Sequence, residues 1–100
     1  MGHPGKKALE VAEERTLLTP SDWEMILAYD WKPKYRLVLE YIRENGNKPV
    51  PFARLHARSP EFYLGHRDAV NVTLRKNGLP YQIRKIGETT AEAELVVARS

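Results

Sequence analysis

One stretch limits the fold of this chain more than any other: Arg67 to Gly87, RDAVNVTLRKNGLPYQIRKIG. At 100° per residue, Val70, Thr73, Leu74 and Asn77 gather on one side of a helix spanning 66–77. Asp68, Asn71, Val72, Arg75 and Lys76 cover the other side. Asn77-Gly78 stops the helix, because glycine accepts a left-handed backbone, and Pro80 prevents continuation. Tyr81 to Ile86 then alternates, with Tyr81 and Ile83 opposite Gln82 and Arg84. Gly87-Glu88-Thr89-Thr90 is a turn signal, and the chain returns over 91–98 with Ala93, Leu95 and Val97 alternating against Glu92, Glu94 and Val96. A lone two-stranded hairpin is marginal in water, so this one must pack on helices.

The helices to receive it lie upstream. Tyr35, Val38, Leu39 and Ile42 recur at i, i+3, i+4, i+7, which predicts a helix from Pro33 to about Glu44, stopped by Asn45-Gly46-Asn47. Two prolines keep Lys48-Pro49-Val50-Pro51 out of a helix, and Val50 is expected to make a short strand contact. Phe52 to Arg58 is helical, burying Phe52 and Leu55 and leaving Arg54 and Arg58 outside at i, i+4. Ser59-Pro60 breaks it, and residues 61–65 turn, with Phe62 or Leu64 as the buried plug. A shorter helix precedes these elements and ends near Asp30. It is capped either by Thr19 with Asp22 or by Ser21 with Glu24. Trp23, Ile26 and Leu27 share its inner face, and Trp23 and Trp31 are expected in the core. Residues 1–18 are charged and aperiodic, an arm with at most a short helix from Ala8 to Arg15. Residues 19–100 make one domain.

Composition excludes several classes. A chain of 100 residues with 42% apolar residues can bury a small core but not a deep substrate cleft as well. Without cysteine there is no disulfide scaffold and no thiolate zinc site. His3, His56 and His66 lack ligand spacing and no carboxylate cluster joins them, so no metal and no cofactor is expected. No serine–histidine–carboxylate motif, paired carboxylates or glycine-rich phosphate loop is present, so no catalytic residue and no small-molecule substrate is expected. No apolar run reaches the ~20 residues that span a bilayer, and no signal-peptide core is evident. The expectation is a cytoplasmic protein without a membrane partner.

The net charge of +3 hides an uneven distribution. Residues 31–86 carry twelve Lys or Arg against four acids, whereas residues 1–30 carry six acids against three bases, and residues 87–100 three against one. A basic centre between acidic ends is the footprint of a polyanion partner.

The order helix, short β contact, helix, turn, helix, hairpin, from Tyr35 to Val97, resembles the winged helix-turn-helix family. Val70-Asn71-Val72-Thr73-Leu74-Arg75-Lys76-Asn77-Gly78-Leu79 is similar to the recognition helix of response-regulator effector domains, where V-x-x-L-R-K-x-L is common. The resemblance implies an α+β fold, mainly helical, with a C-terminal two-stranded β-hairpin wing. It also implies sequence-specific binding of double-stranded DNA by a small transcriptional regulator of bacterial, archaeal or phage type. The wing turn carries Glu88 and no base, and the family's closing glycine-tyrosine strand is missing, so wing insertion into a minor groove is not supported.

Groove chemistry assigns roles to the candidates. A major groove admits one α-helix, where Arg75 suits a guanine edge, Asn71 an adenine edge and Val72 a thymine methyl. Arg67, Lys76, Arg84 and Lys85 suit phosphates, and Arg54 and Arg58 lie on the helix before the turn, near the backbone. Plainer readings exist. Arg75 and Lys76 close a helix C-terminus, where cations suit the dipole, and Asp68 suits the opposite end. A homodimer would pair through the acidic N-terminal segment, since the basic centre repels its copy. The competing function is a winged helix that binds protein in a replication, transcription or virion assembly, favoured by the acidic wing and by Val72 and Val96 taken as exposed. RNA binding is disfavoured by the lack of an evident exposed aromatic platform.

Overall fold

Thr19 starts the first helix of the domain, α1 (Pro20–Leu27). Its hydroxyl accepts the Asp22 N–H at 3.2 Å, and Asp22 accepts the Thr19 N–H at 2.7 Å. Of the two expected capping pairs, Thr19 with Asp22 is the one formed. Trp31 Nε1–H donates to the Ile26 carbonyl at 2.7 Å, and Arg36 donates to the carbonyls of Leu27 at 3.2 Å and Tyr29 at 2.7 Å. The last turn of α1 holds no base of its own, so Arg36 supplies the cation that its dipole favours. The computed structural model describes residues 16–89 and 91–100. The short helix expected at 8–15, and the arm up to residue 15, lie outside the described residues. Leu18 packs on the core.

Arg36 belongs to α2 (Pro33–Glu44), whose stripe Val38, Leu39 and Ile42 is buried. A two-residue strand β1 (Val50–Pro51) runs directly into α3 (Phe52–Arg58). After a turn come α4 (His66–Lys76), β2 (Tyr81–Ile86) and β3 (Glu94–Arg99). The expected hairpin is present, but β1 widens it to a three-stranded antiparallel sheet in the order β1-β3-β2. Val50 pairs with Leu95, and Ile83 with Val97. Among the described residues, four helices of seven residues or more and this sheet make an α+β domain.

Tyr81, Ile83, Leu95 and Val97 point from the sheet into a core shared with Trp23, Ile26, Trp31, Leu55, Phe62, Val70 and Leu74. Phe62, not Leu64, is the fully buried plug of the turn. Val96, expected exposed, is only 2% exposed. As part of the central strand it is buried along with its neighbours from Leu95 to Ala98, so alternation does not mark a wet face there. The turn between β2 and β3 needs its glycine. Gly87 has φ +96°, and a Cβ there would lie 2.6 Å from the Glu92 carbonyl oxygen.

Two asparagines hold the sheet from opposite edges. Ile83 and Val97 face each other, at a position where an antiparallel ladder can turn the main-chain groups of both outward. On one edge Asn71 of α4 accepts the Ile83 N–H at 2.7 Å and donates to its carbonyl at 3.1 Å. On the other, Asn47 accepts the Val97 N–H at 2.9 Å and donates to its carbonyl at 2.6 Å. Asn47 stands where β1 would continue. The register would set Lys48 opposite Val97, but Lys48 turns its N–H back to the Asn45 carbonyl, so a side-chain amide takes the place of main chain. Asn47 also donates to the Thr16 carbonyl and has φ +55°, a conformation that asparagine tolerates better than most residues.

A polar cluster joins α1 to the sheet. Tyr81 donates its hydroxyl to Asp22 Oδ1 at 2.5 Å, and Arg99 reaches Asp22 Oδ2 at 2.6 Å. The Tyr81 hydroxyl, the Thr19 N–H and hydroxyl and the Arg99 charge hold the Asp22 carboxyl down at about 2, against a desolvation that opposes them. Burial and the Asp22 acceptor push the Tyr81 phenol up to about 12. Because the Asp22 value is lowered on folding, its share of stability is present above pH ~4 and lost as pH falls through about 2. The raised Tyr81 value gives a share present below pH ~10 and lost as pH rises through about 12. Tyr81→Phe is therefore expected to cost roughly 1–2 kcal/mol at neutral pH and to flatten the loss of stability between pH ~4 and ~2. Urea midpoints measured across that range check it; an unchanged acid limb would remove Tyr81 from the explanation.

Candidate functional site

The candidate surface is the outer face of α4, and its placement starts with the turn before it. Phe62 is ringed by Tyr35 at 6.2 Å, Phe52 at 6.3 Å and His66 at 6.0 Å between ring centroids. His56 Nδ1–H donates to the Phe62 carbonyl at 2.9 Å, and the Tyr63 N–H donates to His66 Nδ1 at 3.0 Å. Ser59 donates its hydroxyl to the Lys34 carbonyl at 3.0 Å, tying the end of α3 to α2. These contacts fix where α4 begins relative to α3. Both described histidines are spent on them.

The other end of α4 closes on glycine. The Gly78 N–H donates to the Arg75 carbonyl and the Leu79 N–H to the Leu74 carbonyl, with Gly78 at φ +66°. This is the six-to-one, five-to-two pattern of a Schellman stop, and Leu79 packs on the core beside it. Val70 and Leu74 anchor the inner face, and Asn71 ties the flank to β2. The helix is thus held at its start, its end and one side.

Val72, 37% exposed, Arg75 and Lys76 lie on the outer face. Neither Arg75 nor Lys76 makes an ion pair or side-chain hydrogen bond with another described residue. Arg67 is half-buried on the strand-facing flank, with its nearest carboxylate on Asp68 at 3.8 Å. Its Nε is buried and finds no hydrogen-bond partner among the described residues. Arg54 and Arg58 are exposed on α3.

One expectation needs correcting. Asn71 does not lie on the open face. Its carbonyl and amide are both committed to Ile83, so it has no free edge for an adenine. The helical wheel placed it among polar neighbours, but the wheel cannot see the outward-facing main chain of an adjacent strand. Arg84 is exposed on the sheet face away from α4, opposite Tyr81 and Ile83 as the alternation predicts. Ile83 and Tyr81 point to the helices, so strand alternation sends Arg84 to the opposite face of the sheet and leaves Lys85 on the helix side.

Asp68, placed with the outer residues and assigned to the helix dipole, has a side chain 79% exposed, but its place in line with Val72 and Arg75 was not drawn from the sequence. Its spacing to Val72 and Arg75, i, i+4 and i+7, is a signal that was available. Tyr63 is 60% exposed, against the expectation that no aromatic platform exists. Among the described residues no cluster of three or more metal-ligating side chains occurs, and no helix is long and apolar enough to cross a membrane.

Comparison with known proteins finds no matching family model, no matching curated protein and no matching solved structure.

Proposed function

We propose that the chain is a winged helix-turn-helix module that binds double-stranded DNA by laying the outer face of α4 in the major groove. The observation that carries this reading is the contrast between the faces of α4. One side is locked to the core and to β2, while Val72, Arg75 and Lys76 stand exposed and unengaged on the other. The order of elements is that of the family resembled, with β1 pairing beside β3 and α4 leading into β2. Arg75 meets a guanine edge, Val72 a thymine methyl and Lys76 a phosphate. Arg54, Arg58 and Arg67 add phosphate contacts around the turn. Arg84 contributes only to the long-range field. A small transcriptional regulator is the role proposed for such a module.

The test is a salt titration of binding to mixed-sequence duplex. Log affinity should fall linearly with log salt. Replacing Arg75 and Lys76 together by alanine should shallow that slope by about 0.9 for each phosphate no longer neutralised, with the fold intact because both side chains are exposed. If no duplex binds even at low salt, the DNA reading fails. The protein-binding alternative then takes its place, supported by the exposed carboxylates of Asp68 and Glu88 and by the exposed Val72.

A further inference from the structure

Within the DNA-binding reading, on which this inference rests, we infer that Asp68, Val72 and Arg75 form a reading stripe for three base pairs within a span of four, in which Asp68 selects for cytosine. The three residues fall at i, i+4 and i+7, within about 60° of arc on the side of α4 opposite Val70 and Leu74. Seven residues of helix rise about 10.5 Å, about three base-pair steps of 3.4 Å, so the stripe spans four base pairs, with about two steps from Asp68 to Val72 and one from Val72 to Arg75. Each side chain is exposed, and none is engaged by the sheet.

The chemistry of the stripe is graded along its length. Arg75 offers a donor fork to the guanine O6 and N7 atoms, and Val72 offers an apolar surface to a thymine methyl. Asp68 can only accept. A carboxylate in a groove flanked by phosphates is penalised unless it meets a donor, and the cytosine N4 amino group is the major-groove donor that a carboxylate suits. Asp68 thus acts mainly by exclusion. Opposite guanine O6 or thymine O4 it faces an acceptor and gains nothing against the repulsion. Its one nearby cation, Arg67 at 3.8 Å, is too distant for a close charge-assisted hydrogen bond and leaves its oxygens available. The withdrawal of Asn71 from the outer face leaves this stripe without a competing reader on its strand-facing side.

The experiment is selection of bound duplexes from a random pool by the full chain and by Asp68→Asn, with thermal melting to confirm that both fold. The wild-type pool should be enriched for C, T and G within a window of four base pairs. In the Asp68→Asn pool the cytosine preference should drop at least about fivefold while the guanine preference persists. Asp68→Asn should also bind unselected duplex more tightly than wild type, since an anion has been removed. A variant that merely lost helix-dipole stabilisation would melt lower without shifting base preference. Duplex binding with the same preferences in both proteins would overturn the stripe while leaving the DNA reading standing. Failure of both proteins to bind any duplex at low salt would overturn both.

Discussion

Asn47→Ala should destabilise the domain by about 3–5 kcal/mol, enough to leave a protein of this size marginal or unfolded. The side chain is nearly buried, and its amide serves both main-chain groups of Val97 as well as the Thr16 carbonyl. Alanine leaves the Val97 N–H and carbonyl without partners where water does not easily reach them, at about 1–3 kcal/mol per group. It also replaces asparagine by a residue that tolerates the left-handed conformation at position 47 less well, adding up to about 1 kcal/mol. Asn47→Gly separates the two contributions, because it loses the hydrogen bonds but not the backbone ease. Glycine should therefore cost about 1 kcal/mol less than alanine. Urea unfolding of the three proteins measures this. An alanine variant within about 1 kcal/mol of wild type would show that the side chain does not substitute for the missing strand.

Asn71→Ala should cost about 1–3 kcal/mol and should weaken DNA binding by the same factor on every sequence. The asparagine bonds both the N–H and the carbonyl of Ile83, so its loss loosens α4 from β2 rather than deleting a base contact. Asn71→Asp keeps an acceptor for the Ile83 N–H and should fall between wild type and alanine. The informative readout is a ratio, affinity for a selected duplex over affinity for random duplex, which should not move. Unchanged stability with discrimination lost at one base pair would return Asn71 to the groove and mean that α4 is not tied to β2 through this side chain.

The two asparagines also show what could be read along the chain and what could not. Local rules found α2, α3 and α4 nearly to the residue, because proline starts, glycine stops and the 3.6-residue period act over a few neighbours. The Thr19–Asp22 cap and the Phe62 plug follow from the same short-range logic, though each needed the structure to choose between two options. Long-range pairings were beyond it. Nothing in Asn47 or Asn71 announces a partner 50 or 12 residues away, since the partner is main chain and every residue has one. The burial of Val96 is likewise a property of its place in the sheet, not of its neighbours in sequence. For the site, residue types and the strand face of Arg84 were readable, but the flank on which Asn71 falls was set by the packing of α4 on β2.

The amides on Ile83 and Val97 bear on how copies of this protein meet one another. A foreign strand adds to a sheet by finding alternate main-chain groups free along an edge. On β2 those positions are Tyr81, Ile83 and Lys85, and the middle one is already taken by Asn71; Tyr81 turns its N–H to Leu79. On the far side of β3, Leu95 belongs to β1 and Val97 to Asn47. Among the described residues no run long enough for a new ladder remains along β2 or the far side of β3. Sheet extension along β2 or the far side of β3 is thereby opposed by side chains rather than by main chain, so a single substitution at Asn71 or Asn47 would expose an edge that the wild-type chain keeps covered.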